Sequence, residues 1–241
     1  DLYFLESGDF LWQSERDGYA HLYRFRSDGE LINQVTSGSW ALRSSGGPFW
    51  LRRSVVNIDE KNSQVYFTAL KESSVERHLY RIGFDGSRLE RITKDKGVHK
   101  VGFSPDGQYY LDSYSNSSTL PSLALHKNDG TNLHALAKPR PELLQGLNLQ
   151  TPELFTIPTS DRFPMPAQIL KPKDFDSGKA YPLIFHIYGG PSAPTVFDQW
   201  QGSSLFFDNM LLDRGYLVVK FDHRSATAIS KKLENRLIKM M

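Results

Sequence analysis

The 241-residue chain contains no cysteine. That excludes disulfides, a thiolate nucleophile and any zinc site built on Cys ligands. It does not fix the compartment, because a periplasmic protein dispenses with cysteine as readily as a cytosolic one. An excess of one charge is missing as well: 29 Lys and Arg stand against 27 Asp and Glu, a net of +2, with the signs interspersed. Without a basic block there is no electrostatic footprint for nucleic acid as a partner. Long apolar runs are also absent. Leu183 to Tyr188 and Tyr216 to Phe221 are the longest kind present, of strand length and far short of the roughly 20 residues of a helical membrane span. The chain opens at Asp1, without an initiator Met or a charged-then-apolar leader, which reads as a piece cut from a longer protein. Lys231 to Met241 reads as a helix with no Gly, Asn or Pro stop signal, so the natural chain is expected to continue.

What is present is a repeat. Ala20-His21-Leu22-Tyr23-Arg24-Phe25-Arg26-Ser27-Asp28-Gly29 matches Arg77-His78-Leu79-Tyr80-Arg81-Ile82-Gly83-Phe84-Asp85-Gly86, with His21 and His78 at an offset of 57 (78 − 21). Strand-like runs precede both copies, Asp9 to Ser14 and Ser63 to Thr68, and an alternating segment ending near Thr36 or Thr93 follows each. A third, degraded copy runs from Phe103-Ser104-Pro105-Asp106-Gly107 through Tyr109 to Asp112 and on to Asn128-Asp129-Gly130. Asp-Gly pairs suit tight hairpins, since Gly accepts positive φ and Asp bonds its own turn. Strand, turn, strand, turn at this spacing predicts blades of a β-propeller. About three blades are too few to close a ring, so the missing blades are expected before Asp1.

From Ala137 to Gln150 the pattern gives way to a Lys-Pro-Arg-Pro stretch and a polar connection, which reads as a domain boundary. Residues 1–140 are then a partial propeller and residues 141–241 a second domain. Glu153 to Ile157 and Met165 to Leu170 predict an edge hairpin. Leu183 to Tyr188 and Leu217 to Phe221 predict central strands buried on both faces. Between them Leu205, Phe206, Met210, Leu211 and Leu212 predict a helix ended by Arg214-Gly215. Strand, helix, strand in that order implies a parallel α/β sheet.

Several of these segments resemble the dipeptidyl peptidase IV branch of the prolyl oligopeptidase superfamily. They are Ser14-Glu15-Arg16-Asp17-Gly18 with His21-Leu22-Tyr23, then Thr36-Ser37-Gly38-Ser39-Trp40, the Glu76-Arg77-His78-Leu79-Tyr80 repeat, Phe103 to Gly107, and Tyr188-Gly189-Gly190-Pro191. The ordered series spans essentially the whole chain. The resemblance implies a β-propeller followed by the opening of an α/β-hydrolase domain, with peptides cleaved in the cavity between the two domains. It implies a serine peptidase that removes N-terminal dipeptides after Pro or Ala, with acylaminoacyl or tripeptidyl peptidases of the same superfamily as alternatives. A non-catalytic propeller that binds proteins is the alternative of another class. The family's Ser, Asp and His triad would follow this region, and the chain holds no Gly-x-Ser-x-Gly elbow, so it is expected to be inactive alone. The implied partners are a peptide substrate, the remaining blades, the C-terminal hydrolase segment and, for the parent, a homodimer. Relatives work outside the cytoplasm, which implies a periplasmic or cell-surface location.

One catalytic position carries over by the resemblance: Tyr188, whose hydroxyl would serve the oxyanion hole. Read without it, Tyr188 is a strand-end aromatic packing on the core. Asp222-His223-Arg224 follows a predicted strand, where α/β sites gather. Adjacent side chains in extended backbone point apart, though, so Asp222 and His223 are not read as triad members. The family carries glycines where this chain has Ser225 to Ser230, which unsettles that loop. His21 and His78 are read as structural, and no histidine pair has zinc-ligand spacing; no cofactor is expected. Glu15, Arg16 and Asp17 are read as hairpin residues, and Trp12, Trp40, Trp50 and Trp200 as packing residues. Asn116-Ser117-Ser118 is a formal glycosylation sequon. The amine-binding glutamate pair that the resemblance implies would precede Asp1, and no glutamate here is assigned to it.

Overall fold

The computed structural model describes residues 1–44 and 53–235. Trp50 and residues 236–241, the rest of the helix expected from Lys231 to Met241, lie outside the described residues. Three four-stranded antiparallel sheets come first. They comprise β1 (Leu2–Phe4), β2 (Phe10–Ser14), β3 (His21–Phe25) and β4 (Leu31–Gln34); β5 (Val55–Asp59), β6 (Gln64–Ala69), β7 (His78–Gly83) and β8 (Glu90–Arg91); and β9 (Val98–Phe103), β10 (Tyr109–Ser115), β11 (Ser122–Lys127) and β12 (Asn132–Ala137). Spatial order equals chain order in each, so all three are meanders, and the number of units is the one the repeats predict.

The repeat residues explain why the units look alike. Gly29, Gly86 and Gly130 sit at φ of 89°, 84° and 92° at the last hairpin of their sheets. Only glycine adopts that conformation without steric cost. The preceding Asp28, Asp85 and Asp129 accept from the backbone N–H two residues on, at 2.9, 2.9 and 2.8 Å. Those hydrogen bonds hold the Asp85 and Asp129 carboxyls below the usual carboxylate range.

His21 and His78 occupy the same place in the third strand of their sheets and are fully buried. Nδ1 of each lies 3.0 or 3.1 Å from a threonine hydroxyl, Thr36 or Thr93, and that hydroxyl also accepts from the N–H of Leu22 or Leu79. Nε2 of His21 faces the Gly38 carbonyl at 3.0 Å, so the proton sits on Nε2 and Nδ1 accepts from the threonine. Burial pushes the His21 pKa down, which keeps this neutral tautomer in place. The histidines tie the third strand to the segment that follows the fourth, a structural role.

Period-two alternation places the core. Val65, Phe67 and Ala69 of β6, with Tyr80 and Ile82 of β7, pack against Leu11, Leu22, Trp40 and Leu42 of the first unit. The intervening Tyr66 and Leu79 pack with Tyr110 of the third. The middle sheet is therefore covered on both faces, and each fully buried Leu, Val or Phe contributes about 1.5–3 kcal/mol. The outer faces are less covered. Trp12 is 40% exposed and packs on Phe25 of its own sheet, outside the core. It lies on the free side of the first sheet, where the Arg16 guanidinium sits 4.9 Å from its ring and 4.5 Å from that of Tyr23. Trp40 is buried, and Trp200 packs on the core of the last sheet.

After a 3-10 turn at Pro141–Leu144 come β13 (Glu153–Pro158), β14 (Pro164–Leu170), β15 (Leu183–His186), α1 (Ser203–Leu212), β16 (Leu217–Phe221) and α2 (Lys231–Glu234). The sheet order is β13-β14-β16-β15. β13 pairs antiparallel with β14 and β14 with β16, whereas β15 and β16 run parallel, joined by the crossover through α1. β16 is central and buried, as its sequence predicts. β15 is not: it ends the sheet, and Leu183 and Phe185 are 43% and 54% exposed. Its apolar side chains match those of a central strand, but no described strand pairs with its outer edge.

Candidate functional site

The site is built at the carboxyl ends of two parallel neighbours. His186, the last residue of β15, is in register with Lys220 of β16. Tyr188 and Asp222 each follow two residues later, so they leave the sheet at the same level. Tyr188 is 63% exposed, and among the described residues its hydroxyl has no hydrogen-bond partner. It faces an open cleft of about 570 Å³ whose lining includes Phe185, His186, Thr195, Gln201 and Lys220.

The Tyr188 ring lies against the backbone of Gly190. A Cβ at residue 190 would fall 2.6 Å from Tyr188 Cε1, so any side chain there displaces the ring. Gly190→Ala is expected to shift the Tyr188 ring resonances in an NMR spectrum while changing stability by less than about 1 kcal/mol, because an exposed ring has room to swing aside. Unchanged resonances would show that the ring does not rest on Gly190.

Beyond Pro191 the loop is fastened at several points. The Ser192 N–H donates to the Ser225 carbonyl at 2.7 Å. Thr195 N–H, Thr195 Oγ1 and Val196 N–H all donate to the Asp222 carboxylate at 2.8 to 3.0 Å. Asp198 bridges to the first part of the chain, with its N–H on the Val75 carbonyl at 2.9 Å and its Oδ1 accepting from Ser117 N–H at 2.8 Å. Arg77 stacks on Phe197 at 5.1 Å. The Arg77 side chain is fully enclosed, and desolvation, with Arg43 nearby, pushes its pKa down to about 9 against the opposing pull of Asp222.

Asp222 and Arg224 go separate ways. Asp222 is committed to the Thr195 loop, while Arg224 pairs with Asp161, donates to Thr159 Oγ1 at 2.9 Å and covers the Phe163 ring. No triad forms from them. In the loop that follows, Ala228 takes a φ of 54°, the left-handed region that a glycine would occupy more easily, and its carbonyl accepts from Arg43 Nε at 2.8 Å. Glu15 binds Arg43 NH2 at 2.8 Å, Asp17 caps its own turn through Tyr19 N–H at 3.0 Å, and Arg16 covers the aromatics described above. Asp17 does what a hairpin residue is expected to do, whereas Glu15 and Arg16 reach beyond their turn. Under the cleft, Lys220 Nζ donates to Asp208 of α1 at 2.8 Å and to Gln201 at 2.9 Å. The described residues contain no cluster of three or more metal-ligating side chains and no helix long and apolar enough to cross a membrane.

Residues 2–121 match the profile of the dipeptidyl peptidase IV (DPP IV) N-terminal region. The crystal structure of Porphyromonas gingivalis dipeptidyl peptidase 4 superimposes over 98% of the chain with a TM-score of 0.85 at 26% identity. The chain belongs to the dipeptidyl peptidase IV family. Among curated members, human dipeptidyl peptidase 8 is 27% identical over 95% of the chain, and a probable dipeptidyl-aminopeptidase B of Aspergillus clavatus is 31% identical over 89%. The chain spans 28% and 23% of those two relatives and 32% of the P. gingivalis structure, so it corresponds to part of a family member's length. Within it, Tyr188 and the Asp222 clamp are brought together at one sheet end. Sequence reasoning put Tyr188 at a strand end, where it stands, but missed the clamp. Its signal, an Asp following a buried strand, was present, but the direction of the side chain was not.

Proposed function

We propose that the chain is the part of a serine-type dipeptidyl peptidase in which the last propeller blades meet the opening strands of an α/β-hydrolase domain, and that Tyr188 supplies an oxyanion-hole donor. The strand order β13-β14-β16-β15, with its single parallel crossover, supports the hydrolase reading. The relatives named above support the dipeptidase reading. The observation that carries the site is the unpartnered Tyr188 hydroxyl at the end of β15, facing an open cleft. In the full-length parent a Ser attacks the scissile carbonyl, a His takes and returns the proton, and Tyr188 stabilises the developing oxyanion. The peptide is held between propeller and hydrolase, and the parent works in the periplasm or at the cell surface.

Residues 1–241 lack a nucleophile elbow. The chain alone is therefore expected to release nothing from an Ala-Pro chromogenic reporter and to take no serine-directed fluorophosphonate probe, whereas the full-length parent does both. Labelling of the isolated chain would refute its inactivity. Preference of the parent for acylated or tripeptide reporters would replace the dipeptidase assignment by one of the superfamily alternatives.

A further inference from the structure

We propose that Asp222 is a positioning residue for Tyr188: its carboxylate sets where the tyrosine hydroxyl stands by fixing the loop between residues 191 and 198. The inference rests on the reading of Tyr188 as the oxyanion donor and adds the group that holds it. Tyr188 is followed by Gly189, at a φ of 78°, and by Gly190. Two consecutive glycines form a loose joint, so the backbone that carries the ring needs a fixed point nearby. Asp222 provides one from the neighbouring strand. It is only 2% exposed, and both its oxygens are used by three donors, Thr195 N–H, Thr195 Oγ1 and Val196 N–H. β15 and β16 are parallel and in register at His186 and Lys220, so the tyrosine and the carboxylate that anchors its loop start from the same level of a rigid sheet. Such mounting on strands holds a site more precisely than a free loop does.

The charge matters as well as the shape. Oδ1 and Oδ2 each accept from a backbone N–H, and an amide would put an NH₂ against one of those donors. The buried Arg77 guanidinium, stacked on Phe197 in the same loop, lies in the field of this carboxylate. Asp222 does not itself line the cleft; of the lining residues it holds Thr195, so its influence on a reaction there passes through the loop.

The test is a double-mutant cycle in the full-length parent. Asp222→Asn is expected to lower kcat on the Ala-Pro reporter by on the order of 10–100-fold with KM nearly unchanged, the size of loss that a misplaced catalytic group produces. In a Tyr188→Phe background the same substitution is expected to cost nothing further, because the hydroxyl it positions is already gone. Thr195→Val, which removes one of the three bonds and keeps the fold if Asp222→Asn does not, should show a smaller loss that also vanishes beside Tyr188→Phe. If either substitution lowers kcat equally in both backgrounds, Asp222 does not act through Tyr188 and the inference is overturned. If Tyr188→Phe alone turns over like wild type, the oxyanion reading itself falls, an outcome distinct from additivity.

Discussion

Tyr188→Phe in the full-length parent is expected to lower kcat on an Ala-Pro reporter by about 10²–10³-fold while leaving KM close to wild type. The substitution deletes one oxygen and nothing else. Phe keeps the ring that lies against Gly190, and the hydroxyl makes no bond within the described residues that its loss would break. Stability should therefore not change. A donor aimed at an oxyanion binds the charged tetrahedral species far better than the neutral carbonyl, so its removal falls on turnover rather than on substrate binding. Steady-state kinetics of the purified variant separates the two parameters. Wild-type turnover would remove Tyr188 from the mechanism.

The second large effect concerns stability. Lys220→Met is expected to destabilise the fold by about 3–5 kcal/mol, because it strands the Asp208 carboxylate inside the protein. The two side chains are 9% and 1% exposed and 2.8 Å apart. Asp208 Oδ1 already lacks a partner among the described residues, so the bond to Lys220 is what satisfies the carboxylate. The double replacement Lys220→Met with Asp208→Leu should recover most of the loss, since two apolar side chains then fill the space between β16 and α1 without a buried charge. Chemical denaturation of the three variants measures both steps. A single Lys220→Met that unfolds like wild type would mean that water reaches the pair.

Most of the strand architecture was legible in the sequence because alternation and Asp-Gly turns are local signals. The four residues Asp28, Gly29, Asp85 and Gly86 mark two hairpins whose geometry needs no tertiary context. The edge position of β15 was not legible. A run such as Leu183-Ile184-Phe185-His186 has the same composition whether or not a further strand pairs with it. Lys220 is a charge within an apolar strand, and its partner is visible only with the phase of α1, which sets Leu205, Asp208 and Leu212 on one buried face. The Asp222 clamp was hidden for a similar reason. Its donors are two backbone amides and a hydroxyl, groups found throughout any loop, and nothing in Thr195-Val196 announces that a carboxylate 26 residues away will bind them. Ala228 shows the opposite case, where a residue without the expected glycine character still takes the left-handed backbone.

The double coverage of the middle sheet gives mutations there a direction. Along β6, odd-numbered side chains face the first sheet and Tyr66 faces the third. Enlarging Val65 or Ala69 would widen one seam, trimming Tyr66 would slacken the other, and a one-residue insertion between them would exchange the two sets and misfit both. Evolution of this segment is thus constrained twice at every step, once for each neighbour that reads it.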